Sequence, residues 1–292
     1  MILSILAYIN WNISPELFVI RIGSFELPIT WYGILFALGF LVGQQILQYI
    51  FAQDGKSVKH VDTLTIYLVI SIIVGARLGH YLFYEWELLL SDPARWALDM
   101  IIPPFTGLAS HGATGAMLIG IYLYSRTRPD QPFLYVTDRL VIPIAFGGAL
   151  IRLGNIFNSE IYGVPTDLPW GFRFLRETDP ALLPIVPRHP TGIYEALFCL
   201  LLMAICFYLW KHKRHSLRNG FITGLFMILL FTSRILIEFL KNNQSDFENS
   251  LPLNMGQLLS IPIVLVGFAV LVYSLRQHKT IDQNPENKNP VI

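Results

Sequence analysis

The chain of 292 residues is 53% apolar and only 14% charged, whereas soluble domains average about 25% charged residues. Together with a mean hydropathy of +0.51, this excludes an ordinary soluble protein and indicates a chain that crosses a membrane several times. The sequence has no basic tract with interleaved aromatic residues, so we expect no nucleic-acid partner.

The N-terminal residues 1–28 begin with an apolar run that no basic residue precedes. Cleavable signal peptides carry positive charge ahead of their apolar core, so this start matches one poorly. We interpret residues 1–28 as an external amphipathic segment that lies on the membrane surface.

Seven apolar stretches follow, each long enough to cross a bilayer, which takes about 20 residues. They lie near residues 29–51, 62–84, 107–125, 135–156, 192–210, 219–240 and 256–275. We therefore predict an all-α fold with seven transmembrane helices over residues 29–275. The polar tail, residues 276–292, is predicted to be disordered. The long connection over residues 155–191 is rich in glycine, proline and aromatic residues, and a loop of this length is often functional.

The loops that join these stretches alternate in basic content. The loop after the fifth stretch carries Lys211, Lys213, Arg214 and Arg218. The loops after the first, third and seventh stretches are also basic, whereas the others hold fewer cations together with acids. Because basic loops stay in the cytoplasm, we predict an external N-terminus, a cytoplasmic C-terminus and an external position for the 155–191 loop.

Three arginines lie inside apolar stretches, each near the predicted external end: Arg77, Arg152 and Arg234. An arginine in hydrocarbon costs about 2.5–3.5 kcal/mol on insertion scales, so three of them need a common reason. A buried anionic ligand, such as a lipid phosphate, is the simplest one. We therefore expect the three side chains to converge on one site in the outer half of the membrane, and the inner half to be nearly plain hydrocarbon.

Two of these arginines have polar neighbours on the same helix face. Arg152 precedes Asn155 by three residues, and Arg234 precedes Glu238 by four, spacings that place each pair on one face. A guanidinium fits phosphate oxygens, Asn155 adds amide donors, and Glu160 is in place to orient Arg152. The alternative for both arginines is a purely structural ion pair that fixes helix packing.

The other candidate residues are a histidine and several groups near the predicted outer surface. His111 is a candidate general base, with His80 as a second candidate and a mere packing role as the alternative. Tyr32 is either a ligand for a lipid headgroup or part of the interfacial aromatic belt. Tyr194 and Glu195 open the fifth stretch at the same level and are further candidate binding residues.

Several chemistries lack their sequence signatures. The chain contains no HExxH, no GxxxxGK[ST] and no GxSxG string, which excludes the common zinc protease, P-loop and serine hydrolase sites. No His/Cys cluster points to a metal, so we expect neither a metal nor a cofactor. Arginines, a histidine and carboxylates without an evident protein nucleophile favour transfer of a group between two bound substrates, one of which carries phosphate.

Seven strings in this chain resemble, in order, those of the bacterial prolipoprotein diacylglyceryl transferases. The strings are TWYGILFALGF (30–40), GARLGHYLFY (75–84), SHGATGA (110–116), RLGNIFNSEIYG (152–163), RHPTGIYEA (188–196), RILIEF (234–239) and MGQLLSIP (255–262). The resemblance implies seven transmembrane helices in the bacterial inner membrane and an active site toward the external leaflet. It also implies transfer of the diacylglyceryl group of phosphatidylglycerol to the lipobox cysteine thiol of a preprolipoprotein, with release of glycerol-1-phosphate.

The resemblance also implies roles for individual residues. The positions that match the family's functional residues are Tyr32, His111, Arg152, Asn155, Glu160, Gly163, Arg234 and Glu238. By this comparison Arg152 matches the family's phosphatidylglycerol-binding arginine and His111 its essential histidine. Our own hypothesis is that Arg152 and Arg234 bind the phosphate and that His111 deprotonates the thiol. The two glutamates orient the arginines, and the tyrosine and asparagine hold the headgroup. The chain departs from the family strings at Ala113, Ile151, Ser159 and Leu230. The last of these stands where well-known members have a tyrosine, whose hydroxyl must then be dispensable or replaced, for example by that of Tyr194.

Two other classes of function compete with this interpretation. A phospholipid or anion transporter also needs buried arginines, but transporters often show inverted repeats and broken helices, and the sequence shows neither. A non-catalytic membrane scaffold would use the Arg–Glu pairs only for helix packing.

Overall fold

A computed structural model describes residues 8–23, 25–102, 107, 109–178, 182–242 and 251–276. The helices of this part are α1 (Trp31–Gln53), α2 (Lys59–Phe83), α3 (Trp86–Ser91), α4 (Pro93–Ile101), α5 (Ser110–Arg126), α6 (Phe133–Phe157), α7 (Thr191–Lys213), α8 (Phe221–Glu238) and α9 (Met255–Arg276). The strands are β1 (Ile9–Trp11), β2 (Glu16–Ile22), β3 (Phe25–Thr30) and β4 (Phe172–Phe174).

A helix occupies each of the seven predicted apolar stretches. Among the described residues, six helices (α1, α2, α6, α7, α8 and α9) are long and apolar enough to cross a membrane. Helix α5, on the third stretch, has 17 residues. Local signals set the helix ends: α1 begins where the Thr30 hydroxyl accepts the Gly33 N–H at 3.1 Å, a typical N-cap.

The fold is mostly helical, but the all-α prediction missed four short strands. Strands β2 and β3 form an antiparallel hairpin over part of the predicted surface segment. Strand β1 pairs in parallel with β4, so that Ile9 lies opposite Phe172 and Trp11 opposite Phe174. The β2 sequence ELFVIRI is rich in branched and aromatic residues, which suit a strand. Residues 1–7 and the predicted disordered tail beyond Arg276 lie outside the described residues.

Helix α6 is the centre of the bundle, because it contacts α1, α5, α7 and α8. Half of its most apolar window is buried, and Val136 and Ile142 of α6 join Leu202 and Phe226 in the main core. Helices α2 and α5 pack against each other through small residues. A Cβ added at Gly79 would lie only 2.7 Å from Gly112 Cα, so the two backbones approach as closely as small interface residues allow.

The sequence analysis expected nearly plain hydrocarbon at the end of the bundle opposite the three arginines. The structure has a cluster of charged and polar side chains there instead. Asp54, at the end of α1, accepts hydrogen bonds from Tyr135 Oη at 3.0 Å, Arg139 Nε at 2.8 Å and Trp210 Nε1 at 3.2 Å. Arg139 is 8% exposed and also stacks on Tyr135, 3.7 Å from the ring centre. The prediction failed because these charges neutralise one another across three helices, which no single stretch of sequence reveals.

A buried carboxylate fixes the start of α8 against α6. Asp138 accepts the backbone N–H groups of Gly220 and Thr223, each at 2.8 Å, and the Thr223 hydroxyl at 2.6 Å. It thus satisfies donors that a helix N-terminus leaves unpaired. We expect Asp138→Ala to lower the free energy of unfolding by about 2–3 kcal/mol, because it strands buried donors and removes a cap. Thermal unfolding in detergent measures the change.

Asp130→Ala provides the matched control for that measurement. The Asp130 carboxylate pairs with Lys56 Nζ at 2.8 Å, but its side chain is 52% exposed. This lysine lowers the pKa of Asp130, mainly through its hydrogen bond, yet exposed pairs are worth only about 0–1 kcal/mol. Equal loss of stability in the two variants would contradict the role assigned to Asp138.

Candidate active site

A cavity of about 150 Å³ lies between α6, α7 and α8. Its walls are mostly apolar, and they also carry Arg152 from α6, Glu195 from α7 and Arg234 from α8. The structure therefore brings two of the three predicted arginines to one place, together with a predicted binding glutamate. A small number of polar groups in an apolar cavity is the usual form of a ligand site.

Arg152, which is partly exposed, begins a chain of charges that links three helices. Its Nε lies 3.1 Å from Glu195 Oε2. The other oxygen of Glu195 accepts from Lys241 Nζ at 2.9 Å, and the same ammonium lies 3.3 Å from Glu238 Oε2. The partner of Arg152 is thus Glu195 rather than the predicted Glu160.

Lys241 is the polar residue of this site that the sequence analysis did not select. It lies just beyond the sixth apolar stretch, yet its side chain is only 4% exposed. Its three-residue separation from Glu238 was the available signal, because that spacing suits a pair at a helix end.

Arg234 contributes the second cation of the cavity wall. Its Nε is buried and has no hydrogen-bond partner among the described residues. The carboxylate of Glu238 pairs with Lys241 instead, so the intrahelical Arg234–Glu238 ion pair considered as an alternative is not formed. A buried guanidinium donor without a protein partner is costly unless a ligand satisfies it.

The charges of this site do not balance. Arg152, Arg234 and Lys241 are cations, while Glu195 and Glu238 are anions, which leaves one positive charge in excess. Buried charge needs a counter-charge, so the site favours a ligand with a single negative charge, such as a phosphodiester.

Glu160 closes a second polar cluster at the end of α6. Its Oε1 accepts from Asn155 Nδ2 at 2.8 Å and from Asn158 Nδ2 at 3.1 Å. Ser159 and Ile161 adopt left-handed backbone angles, with φ of 55° and 54°, and the chain turns so that the Glu160 N–H donates to Asn155 O. Asn155 Oδ1 is buried without a partner in the described part of the chain.

Gly163 lets the loop approach the end of α8. Its N–H donates to His189 O at 2.8 Å, and it forms a β-bridge with Lys241. An added Cβ would collide with Leu240 O and lie 2.7 Å from His189 Cβ. Glycine is required at this position because Leu240 and His189 leave no room for a side chain. Direct contact with a ligand, which was the prediction for Gly163, stays untested.

Two predicted tyrosines lie beside the cavity rather than in its described wall. Tyr32 packs on Gly154 of α6, where an added Cβ would meet its Cδ2 at 2.7 Å. The Tyr194 hydroxyl accepts the Trp170 Nε1–H at 2.9 Å and lies 3.2 Å from His189 Nδ1. Burial lowers the pKa of His189 below its usual value, which keeps this imidazole neutral at pH 7.

Position 230, where the sequence analysis expected the missing tyrosine hydroxyl to be dispensable or replaced, presents an apolar side chain. Leu230 lines the cavity, and the nearby Ser233 hydroxyl donates to Leu230 O at 2.7 Å. The Tyr194 hydroxyl, the suggested substitute, is held by the 155–191 loop instead.

Arg77 does not converge with the other two arginines, so that expectation was wrong. Its guanidinium donates to the backbone oxygens of Asp99, Met100 and Gly107 at 2.6, 3.2 and 3.3 Å, and it lies over the Tyr81 ring. Helices α3 and α4, which the sequence analysis did not predict, bring these carbonyls close. Arg77 thus connects α2 to the last turn of α4 and to Gly107 beyond it.

His111 is also separate from the described wall of the cavity. It is exposed in the first turn of α5, and its ring packs edge-on against Phe83 with centres 4.9 Å apart. The structure therefore does not bring His111 to Arg152, and its role as a base stays a prediction.

A second cavity, of about 330 Å³, lies on the other side of α6. Its wall is largely apolar and includes Phe36, Leu68 and Met117. The two cavities share Ile144 and Gly148 of α6. Of the next two lining residues, Ile151 faces the second cavity and Arg152 faces the first.

The fold and the first cavity define the class of protein: a multi-pass helical membrane protein with a buried cationic site beside an apolar cavity. The family model described as prolipoprotein diacylglyceryl transferase matches residues 18–273. The chain belongs to the prolipoprotein diacylglyceryl transferase family.

Relatives named phosphatidylglycerol–prolipoprotein diacylglyceryl transferase match along nearly their whole length. The protein from Porphyromonas gingivalis is 42% identical over 279 residues, which cover 92% of this chain and 96% of the relative. The protein from Chloroherpeton thalassium is 37% identical over 274 residues, covering 93% and 96%. The protein from Bacteroides fragilis is 36% identical over 278 residues, covering 92% and 96%.

Proposed function

We propose that this chain transfers the diacylglyceryl group of phosphatidylglycerol to the thiol of the lipobox cysteine of a preprolipoprotein. The observation that carries this proposal is the cavity lined by Arg152 and Arg234, in a site whose charged side chains leave one positive charge in excess. That excess matches the single charge of a phosphodiester. The family membership supports the same reaction.

In this reaction a C–S bond forms as a C–O bond breaks. The cysteine thiolate attacks the glyceryl carbon that carries the phosphate ester, and glycerol-1-phosphate leaves with the bonding electrons. Negative charge grows on the departing phosphate, where Arg152 and Arg234 stabilise it more strongly than in the bound lipid. The thiol proton goes to a base, for which His111 is our candidate.

The two cavities suit the two parts of a phospholipid. The phosphate binds beside Arg152 and Arg234, and an acyl chain enters the apolar cavity past Gly148. Asn155 Oδ1, a buried acceptor without a described partner, is available to a hydroxyl of the headgroup.

For the membrane arrangement we propose seven crossings in a bacterial inner membrane, with the N-terminus outside and the site toward the external leaflet. Helix α5, the third crossing in chain order, then completes the set of seven. Its 17 residues extend about 25 Å at 1.5 Å per residue, slightly less than the hydrocarbon thickness of about 30 Å. The basic loops support this orientation.

The reaction is tested with purified protein, phosphatidylglycerol vesicles and a lipobox peptide. The expected result is a peptide that gains the mass of a diacylglyceryl group, with release of an equal amount of glycerol phosphate. A peptide with serine in place of cysteine is the control. Movement of phosphatidylglycerol between leaflets without either product would refute the proposal and favour a transporter.

The base is tested with His111→Asn over pH 6–9. If His111 removes the thiol proton, transfer should fall by about 10²-fold at pH 7. Most of the loss should be recovered at pH 9, above the usual thiol pKa of about 8.5, because the thiol then ionises unaided. His80→Asn is the matched variant and should retain activity. Transfer that His111→Asn leaves unchanged across this range would remove the assignment.

A further inference from the structure

Lys241 is the most deeply buried charge of the site. Its side chain is 4% exposed, and those of its two partners, Glu195 and Glu238, are 8% and 7% exposed. Its backbone is fixed as well, because the β-bridge to Gly163 holds it against the external loop. Both the backbone and the ammonium of Lys241 are therefore held in place, which limits the other partners that the ammonium can reach.

The lysine determines how Glu195 meets Arg152. Lys241 Nζ binds Oε1 of Glu195 at 2.9 Å, which leaves Oε2 for Arg152 Nε at 3.1 Å. The ion pair between Arg152 and Glu195 is therefore made from Nε, and it does not require the two terminal nitrogens of the guanidinium. Without Lys241, the free Oε1 would be a second acceptor for the same guanidinium.

The lysine also determines the charge of the site. Glu195 and Glu238 together carry two negative charges, which Arg152 and Arg234 alone would cancel. The excess positive charge thus depends on Lys241, although the described wall of the cavity does not include this residue.

We propose that Lys241 is a positioning residue for phosphate recognition. By occupying one oxygen of Glu195 it keeps the terminal nitrogens of Arg152 available, and by its charge it keeps the cavity cationic. The inference rests on the proposed function in taking the ligand to be a phosphate ester. No atom of Lys241 has to contact that ligand.

The test compares Lys241→Met with Lys241→Arg. Affinity for glycerol-1-phosphate is measured from the rise of the unfolding midpoint with ligand concentration, which needs no catalysis. We expect Lys241→Met to weaken binding by about tenfold, the order expected for loss of one buried charge interaction. The KM for phosphatidylglycerol should rise by a similar factor, whereas Lys241→Arg should keep both values near those of the unmodified protein.

Glu238→Gln provides a second test in the opposite direction. It removes a negative charge and leaves the ammonium on Glu195, so glycerol-1-phosphate should bind more tightly. This variant keeps the proposal testable if Lys241→Met does not fold. A folded Lys241→Met with unchanged affinity and KM, or a Glu238→Gln with weaker binding, would overturn the proposal. Absence of transfer by the unmodified protein would instead refute the proposed function, and the binding measurement would still decide the role of Lys241.

Discussion

Replacing Arg152 by lysine is expected to slow transfer by about 10²-fold, the loss typical for one group that stabilises developing charge. Arg152 binds Glu195 through Nε at 3.1 Å and still has two terminal nitrogens for a phosphate. A lysine has one nitrogen, which Glu195 would capture. The planar guanidinium is therefore needed for more than its charge. Quantitative mass spectrometry of the lipobox peptide measures the rate.

Arg139→Lys is the matched control, because Arg139 lies on the same helix and is also buried and ion-paired. Its guanidinium stacks on Tyr135 and pairs with Asp54, so its replacement should lower the unfolding midpoint. Transfer per folded molecule should stay unchanged. The two variants thus separate catalysis from stability, and a loss of transfer that simply followed unfolding in both would contradict the role of Arg152.

Replacing Arg234 by methionine is expected to abolish most transfer without destabilising the protein. The side chain lines the cavity, and its buried Nε has no partner among the described residues. Methionine removes a partly desolvated charge, and no ion pair of Arg234 with a described residue is lost. The free energy of unfolding should therefore stay equal or rise by about 1 kcal/mol. Transfer should fall by about 10²–10³-fold, because the phosphate loses a charged donor.

The measurements for Arg234→Met are the transfer rate and the unfolding midpoint of the same preparation. Arg95→Met is the control, since Arg95 is 69% exposed and pairs only with nearby Asp99 at 3.4 Å. Its removal should change neither quantity. An Arg234→Met protein that unfolds easily would show that this arginine holds the helices together, as in the structural alternative.

Much of the architecture was accessible from the sequence because membrane helices are long and apolar. Each of the seven predicted stretches coincides with a helix, for example 135–156 with Phe133–Phe157. The short helices α3 and α4 and the four strands were missed, since their segments are brief and gain their stability from contacts elsewhere. Strand β1 illustrates this, because its partner Phe172–Phe174 is far away in the sequence.

The candidate site was only partly accessible for the same reason. Depth in the membrane predicted a shared site for Arg152 and Arg234, and both line the first cavity. Asn155, which spacing grouped with Arg152, bonds Glu160 in the second polar cluster instead. The partner of Arg152, however, is Glu195 on another helix, and Lys241 joins the site through a turn after α8. Arg77 was misjudged because a backbone carbonyl can satisfy a guanidinium, and carbonyls carry no sequence signal.

The parallel pairing of β1 with β4 has a consequence for the order in which the molecule is assembled. Ile9–Trp11 leaves the ribosome early, yet its partner is made only after the first six helices. The 155–191 loop therefore closes late, after much of the bundle has entered the bilayer. A reporter that fluoresces when β1 and β4 meet would mark a final step of biogenesis, distinct from insertion of the hydrophobic segments.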